Sequence, residues 1–187
     1  MNFTSHQNYL SQYDKIAEQY DSLFIDKESL EENKEVANLL KVYKGSVYEI
    51  GCGTGLFLEL YSIKPQDYLG IDPSEGMLKQ LALKHPQFIE RTRQTTFEED
   101  NDIYRDYDNI ISLFGSISYV GKESLRKIGE SGKDYFLMFY KNGYRPITYE
   151  KTNVDFVHNE TDIFFLKEVL PSATLVEYNN YLIVKSK

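Results

Sequence analysis

The hydrophobic positions of this chain form two recurring kinds of segment. Short, nearly continuous apolar runs end at Ile50, Ile71, Phe114 and Tyr140. Continuous rather than alternating character marks strands buried on both faces, so Ser46 to Ile50, Tyr68 to Ile71, Ile110 to Phe114 and Asp134 to Tyr140 are read as central parallel strands. Between them, apolar residues return every three or four positions. Tyr9, Tyr13, Ile16, Tyr20 and Leu23 make one such stripe, with Asp14, Lys15, Glu18 and Gln19 largely opposite. This leading helix is expected to pack on the main sheet.

Further helices are predicted from Lys27 to Val42, closed by Lys44-Gly45, and from Leu56 to about Tyr61. Three more run from Ser74 to about Lys84, Lys122 to Glu130 and Ile163 to Leu170. His85-Pro86 and Pro171 stop the first and last of these. Phe88 to Arg91 reads as a short third strand. Thr174 to Tyr178 and Tyr181 to Lys185 flank Asn179-Asn180, a pair that tolerates positive φ and predicts a hairpin. The acidic run Glu98 to Asp102 reads as a solvated face. Lys141 to Asn159 is the least regular stretch, and irregular connections above a sheet edge are where specificity usually resides.

Two strand ends carry the candidate chemistry. Tyr48-Glu49-Ile50 runs into Gly51-Cys52-Gly53-Thr54-Gly55, where glycines let the backbone turn tightly and approach a ligand. Amides at the start of the next helix point toward whatever sits there. The second strand ends in Gly70-Ile71-Asp72, and a carboxylate at that tip suits the two hydroxyls of a ribose. The dinucleotide fingerprint is G-x-G-x-x-G; here the third glycine comes one residue early. Glu49 puts a carboxylate beside the turn, which disfavours a pyrophosphate and favours a ligand carrying an ammonium and a sulfonium. There is no G-x-x-x-x-G-K-[ST], which excludes a P-loop.

Glu49 to Gly55 followed by Gly70-Ile71-Asp72-Pro73-Ser74 resembles the class I S-adenosylmethionine-dependent methyltransferases of small-molecule type. That resemblance, extended along most of the chain, implies an α/β fold over 1–187 as one domain. The fold is a Rossmann-like, doubly wound, seven-stranded, mostly parallel sheet ending in an antiparallel C-terminal hairpin. N-terminal cap helices occupy 1–44 and the core 45–187. It implies S-adenosyl-L-methionine as cofactor, bound by Glu49, the turn of Gly51, Cys52, Gly53 and Gly55, and Asp72 with Pro73. Met77, Thr96, Phe97 and Leu113 would stand near the adenine, with Leu113 and Phe114 toward the methyl group. Many relatives carry an acid in the loop at Thr95 to Phe97 to meet the adenine amino group, and none is placed here.

Tyr13 to Asp21 resembles the N-terminal segment of many small-molecule methyltransferases, which makes Tyr13 and Tyr20 cofactor candidates. Phe114 to Tyr119 resembles the corresponding exit segment and lacks the Asn/Asp-Pro-Pro-Tyr signature of enzymes that methylate base amino groups. Ser116, Tyr119, Tyr144 and His158 are substrate candidates. The implied reaction moves a methyl group to an N or O nucleophile of a small molecule by direct displacement. A non-catalytic S-adenosylmethionine-binding sensor or accessory subunit is the alternative. No catalytic residue and no metal ligand is assigned. His6 and His158 could act as a base, although an unpaired histidine is more often structural or solvated.

Composition narrows the setting. The 187 residues suit one domain with a full core, and 41% hydrophobic with 27% charged content is ordinary for a globular protein. The formal charge of −8 argues against a broad nucleic-acid-binding face. No apolar run reaches ~18 residues, so no membrane span is expected. The first residues lack the pattern of a signal peptide. A single cysteine permits no intrachain disulfide and fits a reducing cytoplasm. Sixteen tyrosines against no tryptophan can fill a core or line a pocket with ring faces and hydroxyls.

Overall fold

Five parallel strands and a closing antiparallel hairpin make one seven-stranded sheet, seen in a computed structural model that describes residues 12–100, 102–144, 152 and 158–187. The strands are β1 (Val47–Ile50), β2 (Tyr68–Ile71), β3 (Thr92–Arg93), β4 (Asn109–Ser112), β5 (Asp134–Tyr140), β6 (Thr174–Tyr178) and β7 (Tyr181–Lys185). Their order is β3-β2-β1-β4-β5-β7-β6. β1 pairs in parallel with β2 and with β4, placing Glu49 between Gly70 and Ile111. β7 runs antiparallel to both β5 and β6. The order reverses beside β1, and the carboxyl ends of β1, β2 and β4 therefore open onto one crevice.

Helices cover both faces. α1 (Lys27–Leu40), α2 (Leu56–Leu60) and α3 (Glu75–Lys84) send Val36, Leu40, Phe57 and Leu81 onto the side of Val47, Ile111, Phe136 and Met138. α4 (Lys122–Glu130) and α5 (Ile163–Val169) send Leu125, Ile128, Leu166 and Val169 onto the side of Tyr48, Ile110, Leu137 and Phe139. Adjacent residues of β5 thus serve opposite cores, which is why its sequence is apolar throughout. Three of the helix starts are capped by side chains. Asp26 accepts from the Ser29 amide, Ser74 from the Met77 amide and Asp162 from the Phe165 amide.

Five expectations need correction. Phe88 to Arg91 is not a strand: Pro86–Arg91 forms a 3-10 turn, and the third strand is Thr92–Arg93. Pro86 lacks an amide for a sheet ladder, and Phe88 turns inward against Tyr68 at 5.3 Å between rings. The leading helix is helical at 12–16 and then breaks into 3-10 turns at Ala17–Gln19 and Asp21–Phe24. It packs on the start of α3, where Ile16, Ala17 and Leu23 surround Met77, and not on the sheet. The helix expected to reach Val42 ends at Leu40.

The acidic run after Phe97 is only partly solvated. Asp100 is buried, accepts from the Tyr48 hydroxyl at 2.6 Å and faces Arg93 at 3.5 Å. Tyr9, His6 and most of the irregular stretch after Tyr144 lie outside the described residues. Among the described residues, no helix is long and apolar enough to cross a membrane.

Candidate functional site

The turn after β1 is built from backbone conformations that side-chain-bearing residues rarely adopt. Gly51, Gly53 and Gly55 have φ of 74°, 50° and 94°. The amides of Gly51 and Cys52 both donate to the Ile71 carbonyl, at 2.8 and 3.0 Å, so the turn folds across the end of β2. A Cβ on Gly51 would lie 2.3 Å from the Ser116 Cβ, whereas at Gly53 no atom lies within 4 Å. The first glycine therefore makes room for the β4 exit, and the second faces open space.

Asp72 closes the turn from the neighbouring strand end. Its Oδ2 accepts from the Gly53 amide and its Oδ1 from the Ser74 amide, each at 2.9 Å. Desolvation raises the carboxyl to about 6, against the lowering effect of those two bonds. Ser74, not Asp72, caps α3. Glu49 is buried on β1 and accepts from the Tyr68 hydroxyl at 2.6 Å. Burial pushes its carboxyl up to about 8, opposed by the Tyr68 bond and reinforced by the charge on Asp72. Burial thus favours the protonated form of Glu49, and a cation placed beside it would favour the carboxylate.

Above these groups lies a cavity of about 790 Å³. It is lined by Tyr13, Tyr20, Glu49, Gly51, Cys52, Gly53, Asp72, Pro73, Met77, Thr96, Phe97, Leu113, Phe114, Ser116, Tyr119 and Tyr144, every sequence-level candidate except two. Gly55 stands behind the wall as the N-cap of α2, where a Cβ would strike the His85 ring. His158 also stands behind it: its ring lies 4.8 Å from that of Tyr140, and Nε2 is 3.0 Å from the Tyr144 carbonyl oxygen. Glu98, next to the predicted adenine loop, lines the cavity while accepting from the Gly121 amide at 2.8 Å.

The end of the cavity beyond Phe114 is aromatic. Phe114 and Tyr181 lie 5.8 Å apart between ring centroids, Tyr181 and Tyr140 5.6 Å, and Tyr140 and Tyr144 5.5 Å. Phe114 holds this position with φ of 47°, a conformation unusual for a bulky side chain. Tyr13 and Tyr119 bring their hydroxyls to 3.4 Å across the top. Burial raises the hydroxyls of Tyr13, Tyr20, Tyr140 and Tyr181, which keeps all four neutral.

Sequence reasoning missed Tyr140 and Tyr181, which looked like ordinary strand residues, and the edge formed by Asp26, the N-cap of α1, with Glu28 and Glu32 on that helix. Those acids had the appearance of a solvated helix face. Only the fold sets them opposite Asn179, whose side-chain amide donates to Glu32 at 2.9 Å. Among the described residues no lysine, arginine or histidine lines the cavity.

Residues 48–130 match a family model described as a methyltransferase domain. Among curated proteins no sequence matches. Solved structures align over nearly the whole chain. A DhpI complex with SAM and HEP has a TM-score of 0.65 at 18% identity, covering 99% of this chain and 98% of that one. A possible histamine N-methyltransferase from Thermotoga maritima gives 0.65 at 15% identity, covering 96% and 99%. Magnesium protoporphyrin IX methyltransferase from Synechocystis PCC 6803 gives 0.57 at 14% identity, covering 90% and 91%. At these identities the likeness shows a common fold, including the parallel sheet closed by the β5-β7-β6 antiparallel end. Over nearly its whole length the chain shares the α/β fold of these S-adenosylmethionine-dependent methyltransferases, and its residues 48–130 match the methyltransferase domain model.

Proposed function

We propose that the protein transfers the methyl group of S-adenosylmethionine to an N or O nucleophile of a small molecule by direct displacement. The observation that carries this reading is the pairing of the glycine turn with Asp72 at the floor of the cavity. The residues fit the cofactor. Each Asp72 oxygen holds one backbone amide and keeps acceptor capacity for a ribose hydroxyl. Gly53 faces open space, where a ligand can approach the backbone. Met77, Phe97 and Leu113 offer apolar surface for a purine. The cavity volume falls in the range of about 300–1,000 Å³ usual for ligand sites. Same-fold structures solved with SAM and SAH support the assignment.

When bound, S-adenosylmethionine supplies an electrophilic methyl group on a positively charged sulfur. The protein's own part is positioning and exclusion of water. Glu49 and Asp72 stand at the strand ends where that charge would lie, and Phe114 with the tyrosines shapes the acceptor side. Tyr13 and Tyr20 arch over the site from the N-terminal segment. The net charge of −8 supports a small molecule rather than a nucleic acid as acceptor, and a cytoplasmic setting belongs to the same reading.

Thermal melts test the assignment. S-adenosylmethionine or S-adenosylhomocysteine at ~100 times its dissociation constant is expected to stabilise the fold by about 2.7 kcal/mol, and NAD not at all. Stabilisation by NAD without either sulfur nucleoside would overturn it. Release of S-adenosylhomocysteine on incubation with a metabolite panel separates transfer from binding alone.

A further inference from the structure

We infer that the methyl acceptor is an amine that enters as its ammonium ion, received between the ring wall of Tyr140, Tyr144 and Tyr181 and the acidic edge of α1 at Glu28 and Glu32. This rests on the methyl-transfer reading above and narrows its acceptor from any N or O nucleophile to one class.

The first argument is charge. The titratable side chains lining the cavity, tyrosines and Cys52 apart, are Asp26, Glu28, Glu32, Glu49, Asp72 and Glu98, with no basic side chain among the described residues. Glu49 and Asp72 stand at the strand ends and serve the cofactor side. Glu28 and Glu32 on α1, with Asp26 at its N-cap, stand apart from them across from the hairpin turn. A cleft lined by one sign of charge concentrates ligands of the opposite sign and repels its own. A carboxylate acceptor would enter against that field.

The second argument is the wall. Stacked and tilted tyrosine rings present faces of negative quadrupole, which attract a cation and offer nothing comparable to an anion. The two features meet. Tyr181 is raised first by its own burial and next by the charge on Glu32. Glu32 is itself raised by burial, and Glu28, Glu35 and Asp26 push it further the same way, against the Asn179 bond. Crowded negative charge is relieved by a bound cation.

The third argument is chemical. An alcohol or phenol needs a base held against its hydroxyl to become a strong nucleophile; the hydroxyls of the ring wall, Tyr140 and Tyr181, raised by burial, do not take up that role at neutral pH, which leaves it to the carboxylates of the opposite edge. An amine needs only to shed the ammonium proton to solvent through the cavity mouth. Its freed lone pair forms the C–N bond, the C–S bonding pair stays on sulfur, and the positive charge passes to the methylated nitrogen.

A matched set of probes tests this: 2-phenylethylamine, 2-phenylethanol and 3-phenylpropionate, titrated by calorimetry and thermal shift into protein saturated with S-adenosylhomocysteine. The amine is expected to bind about tenfold more tightly than the alcohol, with the acid weakest. Failure of S-adenosylhomocysteine itself to bind would sink the methyl-transfer reading instead. If it binds and the amine shows no advantage over the alcohol or the acid, the inference is wrong. The Glu28→Gln, Glu32→Gln double variant keeps an acceptor for Asn179. It is expected to lose most of the preference for the amine while its affinity for S-adenosylhomocysteine stays unchanged; a preserved preference also overturns the inference. The wild-type comparison decides the matter even if that variant fails to fold.

Discussion

The Asp72 carboxylate receives the Gly53 amide at 2.9 Å, so the strand end proposed to hold the ribose also holds the glycine turn in place. Truncating this side chain removes two amide bonds and the acceptor for the ribose together. Asp72→Ala is expected to weaken S-adenosylhomocysteine binding by roughly 10- to 150-fold, and to lower the melting temperature of the ligand-free protein. Asp72→Asn retains one oxygen and is expected to lose less of both. Calorimetric titration and melts on the two variants check this. A lowered melting temperature with unchanged affinity would remove Asp72 from the site.

Burial places the Asp72 carboxyl near 6, above the ordinary carboxylate range, and this gives a pH dependence. The folded chain holds this proton more tightly than the unfolded chain does. The group therefore costs the ligand-free fold stability as pH rises from about 4 through 6. Ribose hydroxyls donate to the ionised form, so cofactor affinity is expected to rise over the same interval and level off above it. Dissociation constants measured between pH 5 and 8 test this, and a flat profile would show that the bound carboxyl is not the ionised acceptor.

The N-terminal segment is latched at two points. Asp14 Oδ1 accepts from the Ser74 hydroxyl at 2.6 Å and the Gly76 amide at 2.8 Å. Asp21 accepts from the Thr54 hydroxyl at 2.5 Å and pairs with Lys84 at 2.7 Å. Asp14→Ala is expected to speed proteolysis of this segment and to raise the cofactor dissociation constant by about 3- to 10-fold, with little effect on the melting of the sheet. Equal protease resistance in variant and parent would show that the latch carries no weight.

Gly51 is expected to tolerate no side chain. Gly51→Ala places a methyl at φ of 74° and 2.3 Å from the Ser116 Cβ, a rigid neighbour. The strain alone is worth about 1–3 kcal/mol. Adding Ser116→Gly clears the collision but not the backbone strain, so melts of the double variant should recover only part of the loss. Full recovery would mean that the conformation itself costs nothing.

Much of this architecture is readable from residue order. β1, β2, β4 and β5 announce themselves by unbroken apolar character, and Asn179-Asn180 marks the hairpin. What stayed hidden has physical causes. β3 is two residues long on a sheet edge, too short for any periodic signal, and Phe88-Ile89 beside it imitates a strand. Tyr13, Ile16, Tyr20 and Leu23 recur at spacings that α and 3-10 turns share, so the break at Ala17 leaves no trace in the pattern. The acidic edge of α1 acquires meaning only because β7 returns beside β5 and brings the Asn179 turn against Glu32. The glycine turn and Asp72, by contrast, meet within a short span of chain, so their juxtaposition is visible in residue spacing.

Phe114 keeps its ring on the cavity wall at the expense of its backbone, at φ of 47°. A selection for heat tolerance alone would favour glycine there, since the left-handed conformation costs glycine little. It would strip one face from the cavity in the same step. Lineages that drift toward glycine at this position would be those released from demand for that wall, and retention of an aromatic residue would mark those that still need it.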